Sequence, residues 1–256
     1  LLLHVTRRAA SRRVQKMREQ LLSFISGTAQ SEQMKSRIHE MVTPGGSLDS
    51  LSEIHGIRSN RGIIAITETA GELNGAALTK LRHEAGGERY GAFLKKTFES
   101  ADEEAIALAI RMIGVLKLKS ITQDVVIQIY CSRTVAQIQH IGMLALCMLG
   151  AEKDVVALCR DHSIASLLTF RTLEEVFAAY AGDLRKLCKK LIRTASDPYI
   201  RRTCIKTIGE KGFEDLGELV LPYLVGGHIN TRIDAARTLG QIRYEPAQEH
   251  ILENAS

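Results

Sequence analysis

Apolar residues recur along most of this chain at three- and four-residue intervals, the period of a helix with one buried face. Val14, Met17, Leu21, Leu22 and Ile25 keep that spacing, so residues 8–42 read as one or two helices, beginning with an amphipathic one. Thr43-Pro44-Gly45-Gly46-Ser47 breaks the pattern, and the stretch from His55 to Gly62 breaks it again. Beyond residue 62 the pattern predicts helices of ten to sixteen residues joined by short turns. Strand signals are scarce. Asp124–Cys131 is β-branched, but helical periods flank it and it is read as helix. The run Ile141–Ala151 is apolar on every side and is expected to lie deepest. It is too short to cross a bilayer, which takes about 20 residues. The predicted organisation is a basic helical segment over 1–42, a loop or linker over 43–62, and a helical array over 63–256.

Helix starts carry their own signals. Ser100 with Glu103 and Thr172 with Glu175 have the spacing of a capping box. Asp197-Pro198 places an N-cap before a proline at the first helical position, where a missing N–H costs nothing.

The strongest pattern is a repeat. Residues 197–209, moved by 31 positions, fall on residues 228–240: Arg201 on Arg232, Lys206 on Arg237, Thr207 on Thr238, Gly209 on Gly240. Gly71, Gly114, Gly150, Gly182, Gly209 and Gly240 each close a helix-like segment, at spacings of 43, 36, 32, 27 and 31. Five positions before them stand Ile66, Ala109, Ala145, Phe177, Cys204 and Ala235, and one position before stand Ala70, Ile113, Leu149, Ala181, Ile208 and Leu239. These two sets share a helical face. The glycine suits a left-handed helix C-cap, and the small residues would let neighbouring helices approach closely. A helix pair with one apolar face must bury it on a neighbour, which predicts a linear stack rather than an irregular bundle with coincidental glycines.

Asp197-Pro198-x-x-Arg201-x-x-Cys204-x-x-x-Ile208-Gly209 resembles the second-helix signature of HEAT repeats. The likeness is good over 197–209 and fair over 228–240, where His228 and Ile229 replace Asp-Pro; over 62–182 it is limited to apolar positions and the closing glycine. The resemblance implies an all-α fold, a right-handed α-solenoid of about five to six antiparallel helix pairs. The pairs would be 88–99 with 102–114, 119–131 with 134–150, 152–161 with 171–182, 184–195 with 198–210, and 214–224 with 228–240, followed by a last helix over 245–253. It also implies that Arg201 and Arg232 bond turn acids such as Asp197. The signature specifies a fold and says little of function.

Composition narrows the picture. Aromatics are 5% and Trp is absent, so the core must be aliphatic. The net charge of +5 lies wholly in residues 1–30, where Arg7, Arg8, Arg12, Arg13, Lys16 and Arg18 face only Glu19. The remaining chain is neutral, so nucleic acid is not an expected partner of the array. Leu1-Leu2-Leu3 followed by these bases reads either as the cytoplasmic exit of a membrane anchor lying upstream or as part of an ordinary amphipathic helix. Residues 1–18 would then meet an anionic membrane surface, with Arg7, Arg8, Arg12 and Arg13 as the membrane-proximal bases. Cys131, Cys147, Cys159, Cys188 and Cys204 are an odd number in apolar patterns, without a CxxC pair, and read as small buried hydrophobes of a reducing, cytoplasmic setting.

No catalytic constellation is visible. No two of the eight histidines flank a Glu at metal-binding spacing. Asp161-His162-Ser163 juxtaposes acid, base and nucleophile types, but triads assemble in space, and a loop is expected. Gly86–Gly91 has phosphate-loop glycine spacing, yet Ala92 stands where the lysine belongs. No catalytic, cofactor or metal residue is assigned, and the chain is read as non-enzymatic.

Counted from the closing glycines, Arg111, Arg202, Lys206 and Arg237 fall on the side of the second helices that the resemblance makes concave. They predict a groove, apolar in the middle and basic toward the C-terminal end, that takes an acidic or amphipathic segment of a partner protein. The same residues also fit plain solvated helix surfaces. The leading functional reading is a protein–protein interaction scaffold tethered at the cytoplasmic membrane face. The alternatives are a HEAT-like enzyme or lyase accessory subunit, marked by a co-purifying small molecule, and salt-sensitive nucleic-acid binding through the basic N-terminal arm.

Overall fold

The structure, a computed structural model, describes residues 28–48, 50–132, 135–195 and 197–248. Among them every regular element is helical and none is a strand. Contacts divide the chain into two compact units, Leu1–Thr97 and Phe98–Ser256. The expected amphipathic helix around Val14–Ile25 lies outside the described residues, as do most of 245–253.

In the first unit, α1 covers 28–42, α2 Asn60–Glu72, α3 Gly75–Gly86 and α4 Glu88–Phe98, whose last residue belongs to the second unit. Between α1 and α2 the chain makes a 3₁₀ turn, Leu51–Glu53. That stretch is packed rather than trailing. Leu48, Leu51, Ile54 and Ile57, three residues apart, are all buried. Polar ties hold the segment and the end of α1: Lys80 Nζ donates to the Met41 carbonyl at 2.6 Å, and Tyr90 Oη to the Ile57 carbonyl at 3.3 Å. Burial also pushes the Tyr90 phenol well above its usual range.

The second unit continues with α5 (Glu103–Leu116), α6 (Thr122–Cys131), α7 (Ala136–Leu149), α8 (Glu152–Arg160), the short α9 (His162–Ala165), α10 (Phe170–Ala178), α11 (Leu184–Thr194), α12 (Pro198–Lys211), the short α13 (Gly217–Val220) and α14 (Ile229–Gln241). Asp124–Cys131 is helix, as read. Helix α5 packs on α7, α7 on α10, α10 on α12 and α12 on α14; beside this row α8 packs on α11 and α11 on α13. The aliphatic side chains between the rows form the core. No residue of Ile141–Ala151 is exposed. The minus-five positions Ala109, Ala145, Phe177, Cys204 and Ala235 are all buried.

Four of the five cysteines are buried here, and Cys131 is exposed. Burial raises the thiols: Cys159 is pushed up to about 12, with the Asp197 charge adding to it, and Cys147 and Cys204 also rise well above their usual value. These are neutral packing groups.

The helix ends correct two expectations. Asp102, not Ser100, caps α5, its carboxylate accepting from Ala105 N at 3.1 Å; Thr169, not Thr172, caps α10, its hydroxyl accepting from Thr172 N at 3.2 Å. In both cases the helix begins where a side chain reaches a free amide, and the nearby hydroxyl–glutamate spacing is incidental. Asp197 does cap α12 before Pro198, accepting from Tyr199 N and Ile200 N at 2.8 and 3.2 Å.

The closing glycine is the larger correction. Only Gly150 is a left-handed cap, with φ of 69°. The left-handed residues after α5, α12 and α14 are Lys117, Gly212 and Arg243. At each of these four turns the same pair of bonds recurs: Lys117 N to Gly114 O and Leu118 N to Ile113 O, Gly150 N to Cys147 O and Ala151 N to Leu146 O, Gly212 N to Gly209 O and Phe213 N to Ile208 O, Arg243 N to Gly240 O and Tyr244 N to Leu239 O. This is the Schellman arrangement. Gly114, Gly209 and Gly240 therefore stand three residues before the left-handed position, and their counterpart in α7 is Cys147. Their use is close approach. A Cβ on Gly114 would lie 2.9 Å from the Ala145 Cα of α7, and one on Gly209 would lie 3.1 Å from the Thr238 Cα of α14.

Candidate interaction surface

Helices α7, α10, α12 and α14, packed in series, carry a ribbon of basic and acidic side chains. His140 Nε2 of α7 is 3.5 Å from Glu175 Oε2 of α10. Glu174, one residue earlier, pairs with Lys206 of α12, which also lies 3.7 Å from Glu210. Arg202 of α12 donates to Asp234 Oδ2 of α14 through Nε at 2.9 Å and a terminal nitrogen at 2.8 Å. Asp234 is in turn 3.7 Å from Arg237. The Phe170 ring lies beneath two bases of α12, 4.5 Å from the Arg202 guanidinium carbon and 5.6 Å from Lys206 Nζ. The contact combines ring-face attraction with packing of the two long stems.

Burial differs along the ribbon and sets what each pair is worth. The Arg202 and Asp234 side chains are only 18% and 10% exposed, so this pair is shielded from salt and water. Glu174 raises the Lys206 pKa first, with Glu210 adding to it, and desolvation opposes them. Arg237 is mostly exposed. Arg111 is exposed on α5 and pairs with no acid among the described residues. The structure thus gathers Arg202, Lys206 and Arg237 on one side of α12 and α14, each with an acid neighbour, and leaves Arg111 alone on another helix. Arg7, Arg8, Arg12 and Arg13 lie outside the described residues.

Corrected for the offset at Gly150, His140 of α7 occupies the register of Arg202, and it too faces an acid on the next helix. Of the arginines singled out by the resemblance, Arg232 behaves differently. Arg232 donates through Nε to the Leu224 carbonyl at 3.1 Å rather than to a turn acid. Asp161-His162-Ser163 is a cap: Asp161 Oδ1 accepts from the Ser163 amide at 3.0 Å and its hydroxyl at 2.6 Å, and starts α9. Sequence reasoning missed Phe170 and the acids opposite the bases. A usable signal exists for the acids, since Arg202–Asp234 and Lys206–Glu174 are both 32 residues apart, one residue more than the 31-residue repeat shift.

Unit one holds a cavity of about 640 Å³, lined by Met34, Arg37, Ile54, His55, Asn60 and Arg61 among others. Its cations are engaged: Arg37 pairs with Glu40 at 3.3 Å, and Arg61 donates to Gln30. Among the described residues no helix is long and apolar enough to cross a membrane, and no group of three or more metal-capable side chains converges. No protein-family model matches the chain, and no curated protein sequence matches it.

Proposed function

We propose that residues 98–256 form a HEAT-like right-handed α-solenoid and that it serves as a non-enzymatic scaffold, binding an acidic or amphipathic segment of a partner protein along its second helices. The observation that carries this reading is the serial packing of α5, α7, α10, α12 and α14, each on the next, with the same left-handed turn repeated after α5, α7, α12 and α14. Stacked helices of this kind make extended surfaces rather than enclosed pockets. Arg237 is the base of α12 and α14 most open to a partner on that surface, Lys206 is half-buried and held by Glu174, and exposed Arg111 extends the surface. Arg202 is committed to Asp234, so its reversal would test stability instead. The experiment is affinity capture with the full chain and with a Lys206→Glu/Arg237→Glu variant of unchanged melting behaviour. A partner retained by the first and lost by the second supports the groove; equal retention removes it.

The proposal includes a cytoplasmic, membrane-proximal placement in which Arg7, Arg8, Arg12 and Arg13 meet anionic lipid, supported by the concentration of the whole net charge in residues 1–30. Co-sedimentation with phosphatidylserine vesicles at low salt, lost when these four bases become Gln, is the expected result. Unaltered sedimentation of the variant would refute it.

A further inference from the structure

Among the described residues helix α14 is the last of the row of second helices, and its outward face copies the face with which α12 holds α14. The 31-residue shift places Gly209 on Gly240, Ile205 on Ala236, Arg202 on Ile233 and Pro198 on Ile229. On α12 this register is covered from Arg202 to Gly209, Pro198 alone being exposed. Thr238 of α14 sits against Gly209, its hydroxyl donates to the Ile205 carbonyl at 2.9 Å, and Asp234 takes Arg202. On α14 the same register is bare. Ile229, Ile233, Ala236 and Gly240 are all exposed, Ile229 and Ile233 at 59% and 48%. A Cβ on Gly240 would meet no described atom within 4 Å. The stripe thus keeps the glycine that elsewhere admits a neighbouring helix, in a position where no described helix uses it.

The edges of the stripe decide what it can take. Spacing along the helix puts Arg232 on one flank and Arg237 on the other. The one acid of α14, Asp234, is buried against Arg202, so no exposed acid stands on this helix. A second copy of α14 would bring arginines against arginines. The described chain directly after α14 leads elsewhere, for the Tyr244 ring packs on Gly217 of α13 and Ala247 is buried. We propose that the Ile229–Ile233–Ala236–Gly240 stripe docks one further helix, an amphipathic segment of a partner protein whose apolar side is edged by acidic residues. This rests on the repeat reading above but not on the groove: the two share Arg237, and Lys206 belongs to the groove alone.

The test is fluorescence anisotropy with the full chain and a labelled peptide of about four helical turns, carrying a Leu/Ala stripe edged by Glu, beside a twin with Lys for every Glu. The expected result is saturable binding of the Glu peptide and about tenfold weaker binding of its twin. Ile233→Glu and Gly240→Met, both at exposed helical positions that tolerate the change, each weaken the Glu peptide about tenfold or more. Lys206→Glu leaves it unchanged, which separates this site from the groove. The proposal is overturned if the two peptides bind alike or not at all, or if the α14 variants bind as the parent does. It is equally overturned if the parent chain forms a concentration-dependent dimer that Ile233→Glu abolishes, because a second copy is then the occupant.

Discussion

Three glycines in equivalent positions have different surroundings, and alanine at each separates backbone preference from helix contact. In an open helix Gly→Ala gains about 0.5–1 kcal/mol, because alanine loses less backbone freedom on folding. Gly240 should show that gain, since its Cβ would enter open space among the described residues. At Gly114 the new methyl would lie 2.9 Å from the Ala145 Cα and 3.0 Å from its Cβ. Both belong to a buried part of α7, so relief requires moving one helix against another. Overpacking of this kind costs about 1–3 kcal/mol, leaving Gly114→Ala destabilised by up to about 2 kcal/mol after the helix gain. Gly209→Ala should lie between the two, because the Gln241 side chain can swing aside while the Thr238 Cα at 3.1 Å cannot. Urea unfolding followed by helical circular dichroism gives the three midpoints, and a constant m-value shows that stability alone has changed. The predicted order is Gly240→Ala above the parent, then Gly209→Ala, then Gly114→Ala. Should Gly114→Ala prove as stable as Gly240→Ala, the close approach assigned to this glycine is wrong.

Arg202→Ala should cost about 2–4 kcal/mol, because it strands a buried Asp234 with only Arg237 at 3.7 Å; adding Asp234→Ala should recover part of the loss in a double-mutant cycle. Lys190 and then Lys186 hold the Glu152 carboxyl below its usual pKa of 4.5, so its stabilisation is present above that value and is lost as pH falls through the lower folded one. Glu152→Gln should therefore lower stability at neutral pH by less than about 1 kcal/mol, both lysines being well exposed, and should match the parent in acid; a deficit persisting in acid would contradict the assignment. Gln139 Nε2 donates to the Ile129 and Ser132 carbonyls at 2.7 and 3.0 Å, closing the end of α6 from α7. Gln139→Leu should cost about 1–3 kcal/mol, with faster amide exchange at the α6 C-terminus as the local sign.

Period and punctuation made the helical class and the order of segments from residue 98 onward legible, down to Asp124–Cys131, because each helix keeps one apolar face against its neighbours. The role of the glycines was less legible. Gly114 and Gly150 look alike in the chain, yet one sits under a crossing helix and the other bends the backbone into the left-handed region. Lys117 and Arg243 adopt that region without any glycine to announce it. The resulting three-residue offset hid the correspondence between His140 and Arg202. At the candidate surface, helical spacing brought Arg202 and Lys206 to one side of α12, and the packing of α14 adds Arg237. Their acids come from separate helices, and only the tertiary stack sets Glu174 and Asp234 opposite them. The burial of Leu48, Leu51, Ile54 and Ile57 between α1 and α2 was likewise masked by the Pro-Gly-Gly start of that stretch.

The buried cysteines place a chemical gauge inside the second unit. Cys147, Cys159, Cys188 and Cys204 are enclosed, and Cys159, with its pKa near 12, holds almost no thiolate at neutral pH. Peroxide can therefore reach these sulfurs only when the helices part, and its rate of consumption there follows the frequency of opening rather than the intrinsic nucleophilicity of sulfur. Each oxygen added puts a polar group where a small apolar one was packed, which makes the next opening easier. Oxidative wear in this unit should thus accelerate itself, beginning at whichever stretch breathes most.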